Sequence, residues 1–138
     1  DALSARTLHH FGFAAVADRL VALGIPSTEP FWMAVRGNCS KVPDAAEWAR
    51  IVYRGPSQIA FSSEDLEFVR TAFTLLPAEP WDGDTWRRWT DAVKAATGRK
   101  GRSLFMPLRL ALTGVDHGPE LAALLPVIGH ARTLRRIP

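Results

Sequence analysis

The chain has 138 residues, of which 47% are hydrophobic and 22% are charged, and its formal net charge is +3. This composition is that of an ordinary globular protein, and no apolar run approaches the roughly 20 residues that cross a bilayer. The length suits one compact domain or two small helical subdomains and is short for a complete nucleotide-using enzyme, so a soluble piece of a larger protein is plausible.

Capping and stop residues predict the first two helices. Ser4 is a candidate N-cap for a helix in which Val16 and Leu20 lie at helical spacing, and Gly24 ends it. A second, short helix is predicted after Thr28, with a proline in its first turn. Both helices offer one apolar face to a core.

The next two helices begin at acidic or hydroxyl-bearing residues. Asp44 precedes a helix with Glu47 at its N3 position, which is a pattern like a capping box. Ser62 or Ser63 opens a further helix that runs to about Leu76. Acidic residues in its first turn complement the helix dipole, which strengthens the prediction.

The stretch PAEPWDGD, residues 77–84, is the predicted boundary between two helical subdomains. It concentrates proline, glycine and acidic residues, and it has no hydrophobic periodicity. It divides the chain into an N-terminal helical subdomain, residues 1–76, and a C-terminal helical subdomain, residues 81–138.

Helices resume beyond this boundary. Asp84 can cap a helix that ends near Gly98, and the segment 104–113 forms another. Pro119 occupies a plausible first helical position of the next helix, and Gly129 starts a last short one. We therefore predict an all-α fold of seven or eight short helices in a two-subdomain array.

Five tryptophans raise the question of base stacking. Core packing is the predicted role of Trp48, Trp86 and Trp89, because they occupy apolar helical positions. Trp81 lies in the boundary loop, where it could pack between the subdomains or be exposed.

No group of side chains in the sequence indicates catalysis or metal binding. His9 and His10 are adjacent, hence about 100° apart on a helix, which is poor geometry for one metal ion. His117 and His130 have no partner at a useful spacing, and the lone Cys39 lacks a nucleophile motif and cannot form an internal disulfide. We expect no catalytic residue, no metal site and a reducing, cytoplasmic environment.

Charge is distributed unevenly along the chain. Residues 1–98 carry 10 basic and 12 acidic side chains, whereas residues 99–138 carry seven basic and two acidic ones. Such asymmetry suits a surface that faces phosphates, because neutralising a polyanion releases counterions. Charge alone leaves open the alternative of a solvated basic tail.

One segment carries a specific resemblance. The sequence KGRSLFMPLRLALTG at residues 100–114, followed by VDHGPEL at 115–121, closely resembles the C-terminal signature of bacterial glutamyl-tRNA synthetases. Weaker likenesses to alphaproteobacterial members of that family lie at residues 23–26 (LGIP), 34–38 (AVRGN) and 128–132 (IGHAR). These segments lie between residues 23 and 132, so the resemblance spans most of the chain, and the patterns between residues 40 and 98 are less distinctive.

The resemblance implies a binding region rather than a catalytic one. In this family ATP and glutamate bind an N-terminal Rossmann-type domain, whose HIGH-like and KLSKR-like motifs are absent from this sequence. ATP and Mg²⁺ would therefore belong to a parent glutamate-tRNA ligase, and the chain itself would hold no cofactor. The implied partner is the anticodon stem-loop of tRNA(Glu); no DNA or membrane partner and a monomer are expected.

The resemblance also implies particular contacts. Anticodon bases are unstacked groups that proteins recognise by their edges, while basic side chains hold the phosphates. By similarity to the family, Arg109 contacts the anticodon, Pro119 and Leu121 give apolar contacts in a base pocket, and Lys100 and Arg102 hold phosphates.

Arg36 is the predicted reader of the third anticodon base, where the resemblance is weaker. Asn38 stands at a position where the family pattern often has a second basic residue. Whether the parent enzyme separates the tRNAs for glutamate and glutamine stays open.

Alternatives remain for Arg109 and for the whole chain. Arg109 lies on an otherwise apolar helix, so it needs a partner, and a structural carboxylate would also serve. A stand-alone helical nucleic-acid module, such as a helix-turn-helix DNA reader, would favour a more polar recognition helix than residues 104–112. In a protein-interaction module, the basic residues would serve solubility only.

Overall fold

The computed structural model describes residues 11–25 and 28–138. In these residues the chain forms eight α-helices and two 3₁₀ turns, and no strand, which confirms the predicted all-α fold. The helices are α1 (Phe13–Ala22), α2 (Glu29–Val35), α3 (Ala45–Arg54), α4 (Ser63–Phe73), α5 (Thr85–Thr97), α6 (Arg102–Thr113), α7 (Leu121–Ile128) and α8 (His130–Leu134), and the 3₁₀ turns are Arg36–Asn38 and Val42–Asp44. No helix in this part of the chain is long and apolar enough to cross a membrane.

The first two described helices follow their predicted signals. Leu20 of α1 is fully buried, and Thr28 is the N-cap residue of α2, as predicted. The predicted cap Ser4 and the pair His9 and His10 lie outside the described residues.

The predicted capping box at the start of α3 is wrong. The Asp44 carboxylate accepts hydrogen bonds from the backbone N–H groups of Ser40 and Lys41, at 2.8 and 3.2 Å. Glu47 pairs instead with Arg50, at 2.6 Å. A 3₁₀ turn directly precedes α3, and the backbone N–H groups at the start of that turn compete successfully for the Asp44 side chain.

Capping of α4 agrees with the prediction. The Ser62 hydroxyl accepts a hydrogen bond from the N–H of Asp65, at 3.1 Å. The helix ends at Phe73, three residues before the predicted end, and it buries Phe68 and Val69 against the core. The local signals therefore located its start better than its end.

The tryptophans divide between the core and its edge. Trp48 and Trp89 are buried as predicted, and the Trp89 indole donates to the Ala72 carbonyl at 2.8 Å. Trp86 packs against the core but stays half-exposed. Trp81 is half-buried in the predicted boundary loop, and its ring lies edge-on to His130 with centroids 5.1 Å apart.

Helix α6 contains a proline near its middle without breaking. Pro107 has no N–H to bond the Ser103 carbonyl, four residues earlier. The Arg99 guanidinium donates to that carbonyl at 3.0 Å. A side chain from the preceding loop therefore replaces the missing backbone bond.

The predicted position of Pro119 at the start of a helix is wrong. Glu120, the N-cap residue of α7, is not helical (φ −58°, ψ 129°), so α7 begins only at Leu121. Pro119 is a buried residue of the preceding turn. Gly129 does precede the last helix, as predicted, and that helix is short.

The described helices share one hydrophobic core. Helix α7 packs against α2, α3 and α5, so residues from both sides of the predicted boundary meet. Near the end of the chain, the buried Arg136 donates to the carbonyls of Leu112, Ile51 and Val52. It thus joins the C-terminal ends of α3 and α6. The division into residues 1–76 and 81–138 stays a prediction.

Candidate nucleic-acid interface

Arg109 is the central side chain of the candidate site. It projects from α6, and its Nη2 donates to the Pro119 carbonyl at 3.1 Å. Its Nη1 is buried and has no hydrogen-bond partner among the described residues. Burial lowers the pKa of Arg109, because it disfavours the charged guanidinium. The bonded partner of Arg109 is thus a carbonyl rather than a structural carboxylate, and the N–H groups of Nη1 have no acceptor among the described residues.

Arg109 lies in a groove of about 490 Å³, which we call the Arg109 groove. Its walls come from α5, from one face of α6 and from the start of α7. The lining residues are Trp86, Arg102, Phe105, Met106, Arg109, Glu120, Leu121 and Ala122. Apolar, aromatic and cationic groups therefore meet in one concave surface.

The aromatic wall of the Arg109 groove is formed by two rings. Trp86 and Phe105 have centroids 6.2 Å apart and planes inclined by 38°. Phe105 is 37% exposed. The ammonium of Lys94 lies 5.2 Å from the centre of the Phe105 ring. An exposed ring beside cations suits the stacking of an unpaired base.

The α6–α7 turn, residues 114–120, is held tightly beneath the Arg109 groove. The Thr113 hydroxyl donates to a carbonyl and also accepts from the Val115 N–H at 3.3 Å. Gly118 has φ +140°, and a Cβ there would lie 2.4 Å from the Trp48 ring. Close packing on Trp48 thus fixes the turn that carries Pro119.

Backbone donors are also present at the start of α7. The first N–H groups of a helix have no partner within the helix. Leu121 and Ala122 occupy these positions, both line the Arg109 groove, and α7 has no side-chain cap. Polar groups of a bound base can therefore meet backbone N–H groups there.

The structure brings some of the predicted contact residues together and not others. Arg102, Arg109 and Leu121 line the Arg109 groove, and Pro119 contributes its carbonyl from below. Lys100 is exposed in the loop before α6, two residues from Arg102. These five positions therefore belong to one region of the surface.

Arg36 lies elsewhere in the fold. It belongs to the 3₁₀ turn after α2 and donates to the Phe11 carbonyl at 2.8 Å, a carbonyl that also accepts from Trp32. It does not line the Arg109 groove. Its role in reading the third anticodon base stays a prediction.

The aromatic wall was not predicted from the sequence. Trp86 was assigned to the core, and no role was given to Phe105 or Met106. A signal was present, because residues 102, 105, 106 and 109 share one helical face at i, i+3, i+4 and i+7. The contribution of α5 depends on tertiary packing and had no signal in the local sequence.

Some cations of the basic C-terminal segment have structural roles. Arg99 pairs with Asp65 at 2.7 Å and lies 4.3 Å above the Phe68 ring. Arg136 is buried, and three of its five N–H donors meet backbone carbonyls. Burial, with the nearby charge of Arg132, lowers the pKa of Arg136 to about 10. The count of basic residues in this segment is therefore larger than the number of cations that the surface offers to phosphates.

No metal site is formed by the histidine, cysteine and acidic side chains in the described ranges. Cys39 is buried, which raises the pKa of its thiol to about 12, with a smaller effect of Asp44. A thiol that stays protonated at neutral pH is a poor nucleophile.

Comparison with known proteins identifies the family of the chain. Residues 14–138 match the family model described as the anticodon binding domain. The chain is 55% identical over 140 residues to glutamate–tRNA ligase 1 of Chelativorans sp. (strain BNC1), covering 100% of this chain and 31% of that protein. It is also 55% identical over 139 residues to glutamate–tRNA ligase 2 of Methylobacterium sp. (strain 4-46), covering 99% of this chain and 30% of that one.

A solved structure shares the fold. It is the crystal structure of a glutamate tRNA ligase from Elizabethkingia meningosepticum CCUG26117 in complex with its amino acid. The TM-score is 0.80 at 17% identity, over 97% of this chain and 30% of that chain. The chain thus spans about a third of the length of the relatives that it matches. It belongs to the anticodon-binding domain family and corresponds to the C-terminal part of bacterial glutamate–tRNA ligases.

Proposed function

We propose that the chain recognises the anticodon stem-loop of tRNA(Glu) through the Arg109 groove. The observation that carries this proposal is the buried Nη1 of Arg109, a charged donor without a partner among the described residues. A buried donor left unbonded costs free energy, and a base edge in the groove would supply the acceptor. The single-stranded loop of a tRNA presents such edges.

The surrounding side chains support the same ligand. The rings of Phe105 and Trp86 offer a stacking surface, and Arg102 and Lys100 offer charge for the flanking phosphates. The Glu120 carboxylate, at the rim, can accept from base amino groups. The face of the base, its amino groups and the flanking phosphates therefore each have a matching group in or beside the Arg109 groove.

The proposal extends to the activity of the longer protein to which the chain would belong. The chain would select tRNA for a ligase that attaches glutamate, with ATP and Mg²⁺ used by a part of the protein outside these residues. We place this ligase in the cytoplasm and treat it as a monomer. The residues of the Arg109 groove would then set tRNA choice and take no part in the chemistry.

Replacing Arg109 tests this function. We expect Arg109→Ala to weaken binding of the tRNA(Glu) anticodon stem-loop by about 1–3 kcal/mol, the range for one positioned arginine contact to a base edge. Fluorescence anisotropy measures the affinity, and circular dichroism checks that the helices persist.

Arg87→Ala is the matched control for this experiment. Arg87 is an exposed arginine of α5, pairs with Asp84 and lies outside the Arg109 groove. Its removal should leave the affinity nearly unchanged. Equal affinities of the two variants, both folded, would refute the proposed role of Arg109.

A further inference from the structure

A second groove opens on another side of the molecule. It has a volume of about 650 Å³ and is formed by the end of α3, the loop after it, α4, one side of α6 and the C-terminal segment. It shares no residue with the Arg109 groove. Its charged side chains are Arg54, Arg70, Arg132, Arg135 and Arg136, so we call it the arginine groove.

No aspartate or glutamate side chain lines the arginine groove among the described residues. Arg54 and Arg135 are exposed, and neither guanidinium has a hydrogen bond or an ion pair within the described part of the chain. Elsewhere on the surface, exposed arginines such as Arg50 and Arg87 pair with neighbouring carboxylates. The arginine groove therefore concentrates positive charge that this fold leaves unneutralised.

The other three arginines are held in place by their surroundings. Arg136 is buried by its three carbonyl contacts, and Arg132 lies 5.0 Å from the centre of the Tyr53 ring. The Nε of Arg70 donates to the Pro138 carbonyl at 3.1 Å, which leaves both Nη groups free to bind. Positioned guanidinium groups lose little conformational entropy when they bind an anion.

Two of these charges, those of Arg132 and Arg136, lie close enough to repel each other. The charge of Arg132 adds to burial in lowering the pKa of Arg136. A bound anion would relieve this repulsion, because it favours the charged form of every guanidinium that it contacts.

We propose that the arginine groove binds phosphate groups of an RNA backbone, as a sequence-independent contact separate from the Arg109 groove. The guanidinium fork matches the geometry of phosphate oxygens. An acidic protein segment would present similar charge, but protein interfaces centre on buried apolar anchors. Among the described residues of the arginine groove, one large apolar side chain is exposed, Ile137; the other large apolar lining residues are half-buried, namely Tyr53, Ile59, Phe61, Leu66 and Leu110. The RNA is taken to be tRNA, so this inference rests on the proposed function.

A charge-matched pair of double variants tests the inference. Arg54→Gln with Arg135→Gln removes two cations from the arginine groove. Arg50→Gln with Arg87→Gln removes two cations that line neither groove. The affinity of the full chain for a tRNA(Glu) transcript, and for an unrelated tRNA, is measured over a series of NaCl concentrations.

We expect the arginine-groove variant to bind both tRNAs about tenfold more weakly than the control. The slope of log affinity against log salt should fall by about two, since each lost phosphate contact reduces it by about one. Circular dichroism should show the same melting temperature for both variants. If the double variant is unfolded, the two single variants should each reduce the slope by about one.

The outcomes separate the inference from the proposed function. Equal affinities and slopes for the two double variants, with binding still dependent on Arg109, would overturn the inference alone. Failure of the unmodified chain to bind either tRNA would overturn both. Binding of polyglutamate that is lost in the arginine-groove variant, with tRNA binding intact, would assign the arginine groove to an acidic protein and overturn the inference.

Discussion

Arg109 and Arg136 differ in how their buried donors are used. Burial lowers the pKa of both side chains. The donors of Arg136 meet three backbone carbonyls, whereas the buried Nη1 of Arg109 meets none in the described residues. Two arginines of the basic C-terminal segment, residues 99–138, therefore differ: Arg136 uses buried donors within the fold, whereas Arg109 keeps a buried nitrogen without an acceptor in the described residues.

Replacing Arg136 should destabilise the protein. Arg136→Met removes the side-chain donor of the Leu112 and Val52 carbonyls, whereas the Ile51 carbonyl keeps its bond from the Gly55 N–H; unsatisfied buried polar groups cost about 1–3 kcal/mol each. We expect the free energy of unfolding, measured in urea, to fall by about 3 kcal/mol or more.

The adjacent exposed residue provides the control. Arg135→Met changes no hydrogen bond within the described residues and should shift the free energy of unfolding by at most about 0.5 kcal/mol. If both variants lose the same stability, the carbonyl contacts of Arg136 do not hold the ends of α3 and α6.

Among the secondary-structure elements, the α6–α7 turn positions the Arg109 groove. Gly118→Ala would place a Cβ 2.4 Å from the Trp48 ring, at φ +140°, where side chains are strained. Overpacking of this kind costs about 1–3 kcal/mol. We expect a lower melting temperature together with weaker binding of the anticodon stem-loop.

Gly83→Ala is the control for the turn. A Cβ added at Gly83 would meet no other atom within 4 Å, and this residue lies outside the turn. Gly83→Ala should therefore keep the melting temperature and the affinity for the anticodon stem-loop. A Gly118→Ala protein with unchanged stability and affinity would contradict the packing of Gly118 on Trp48.

The aromatic wall should contribute to binding without supporting the fold. Phe105→Ala removes an exposed ring, and base stacking on an aromatic side chain is worth about 1–3 kcal/mol. We expect weaker RNA binding at nearly unchanged melting temperature. Phe105→Tyr keeps the ring and should keep most of the affinity; equal losses in both variants would argue against stacking.

The starts of α2 and α4 were predictable from local sequence, because each depends on a few neighbouring residues. Ser62 caps α4 and Thr28 precedes α2, as their spacing indicated. The partner of Asp44 was not predictable, since it depends on a 3₁₀ turn that competes for the same carboxylate.

The candidate site was predictable where its residues are close in sequence. Arg102, Arg109 and Leu121 come from one recognised segment and do line one groove. The burial of Arg136 was hidden, because its carbonyl partners Ile51 and Val52 are 84 or more residues away.

At the scale of the whole molecule, positive charge is arranged in two separate grooves rather than along a basic tail. Two of the five arginines in the arginine groove, Arg54 and Arg70, come from the part of the chain that carries slightly more acidic than basic residues. The shared core holds both grooves in one body. One groove can thus read bases while the other adds affinity.

The most direct test of the central claim is a titration of the labelled chain with the tRNA(Glu) anticodon stem-loop, followed by nuclear magnetic resonance. We predict that the guanidinium Nε–H of Arg109 and the indole N–H of Trp86 shift. The indole N–H of Trp32, which is bonded to the Phe11 carbonyl away from the Arg109 groove, should stay in place. Saturable binding that leaves the signals of Arg109 and Trp86 unchanged would contradict the account.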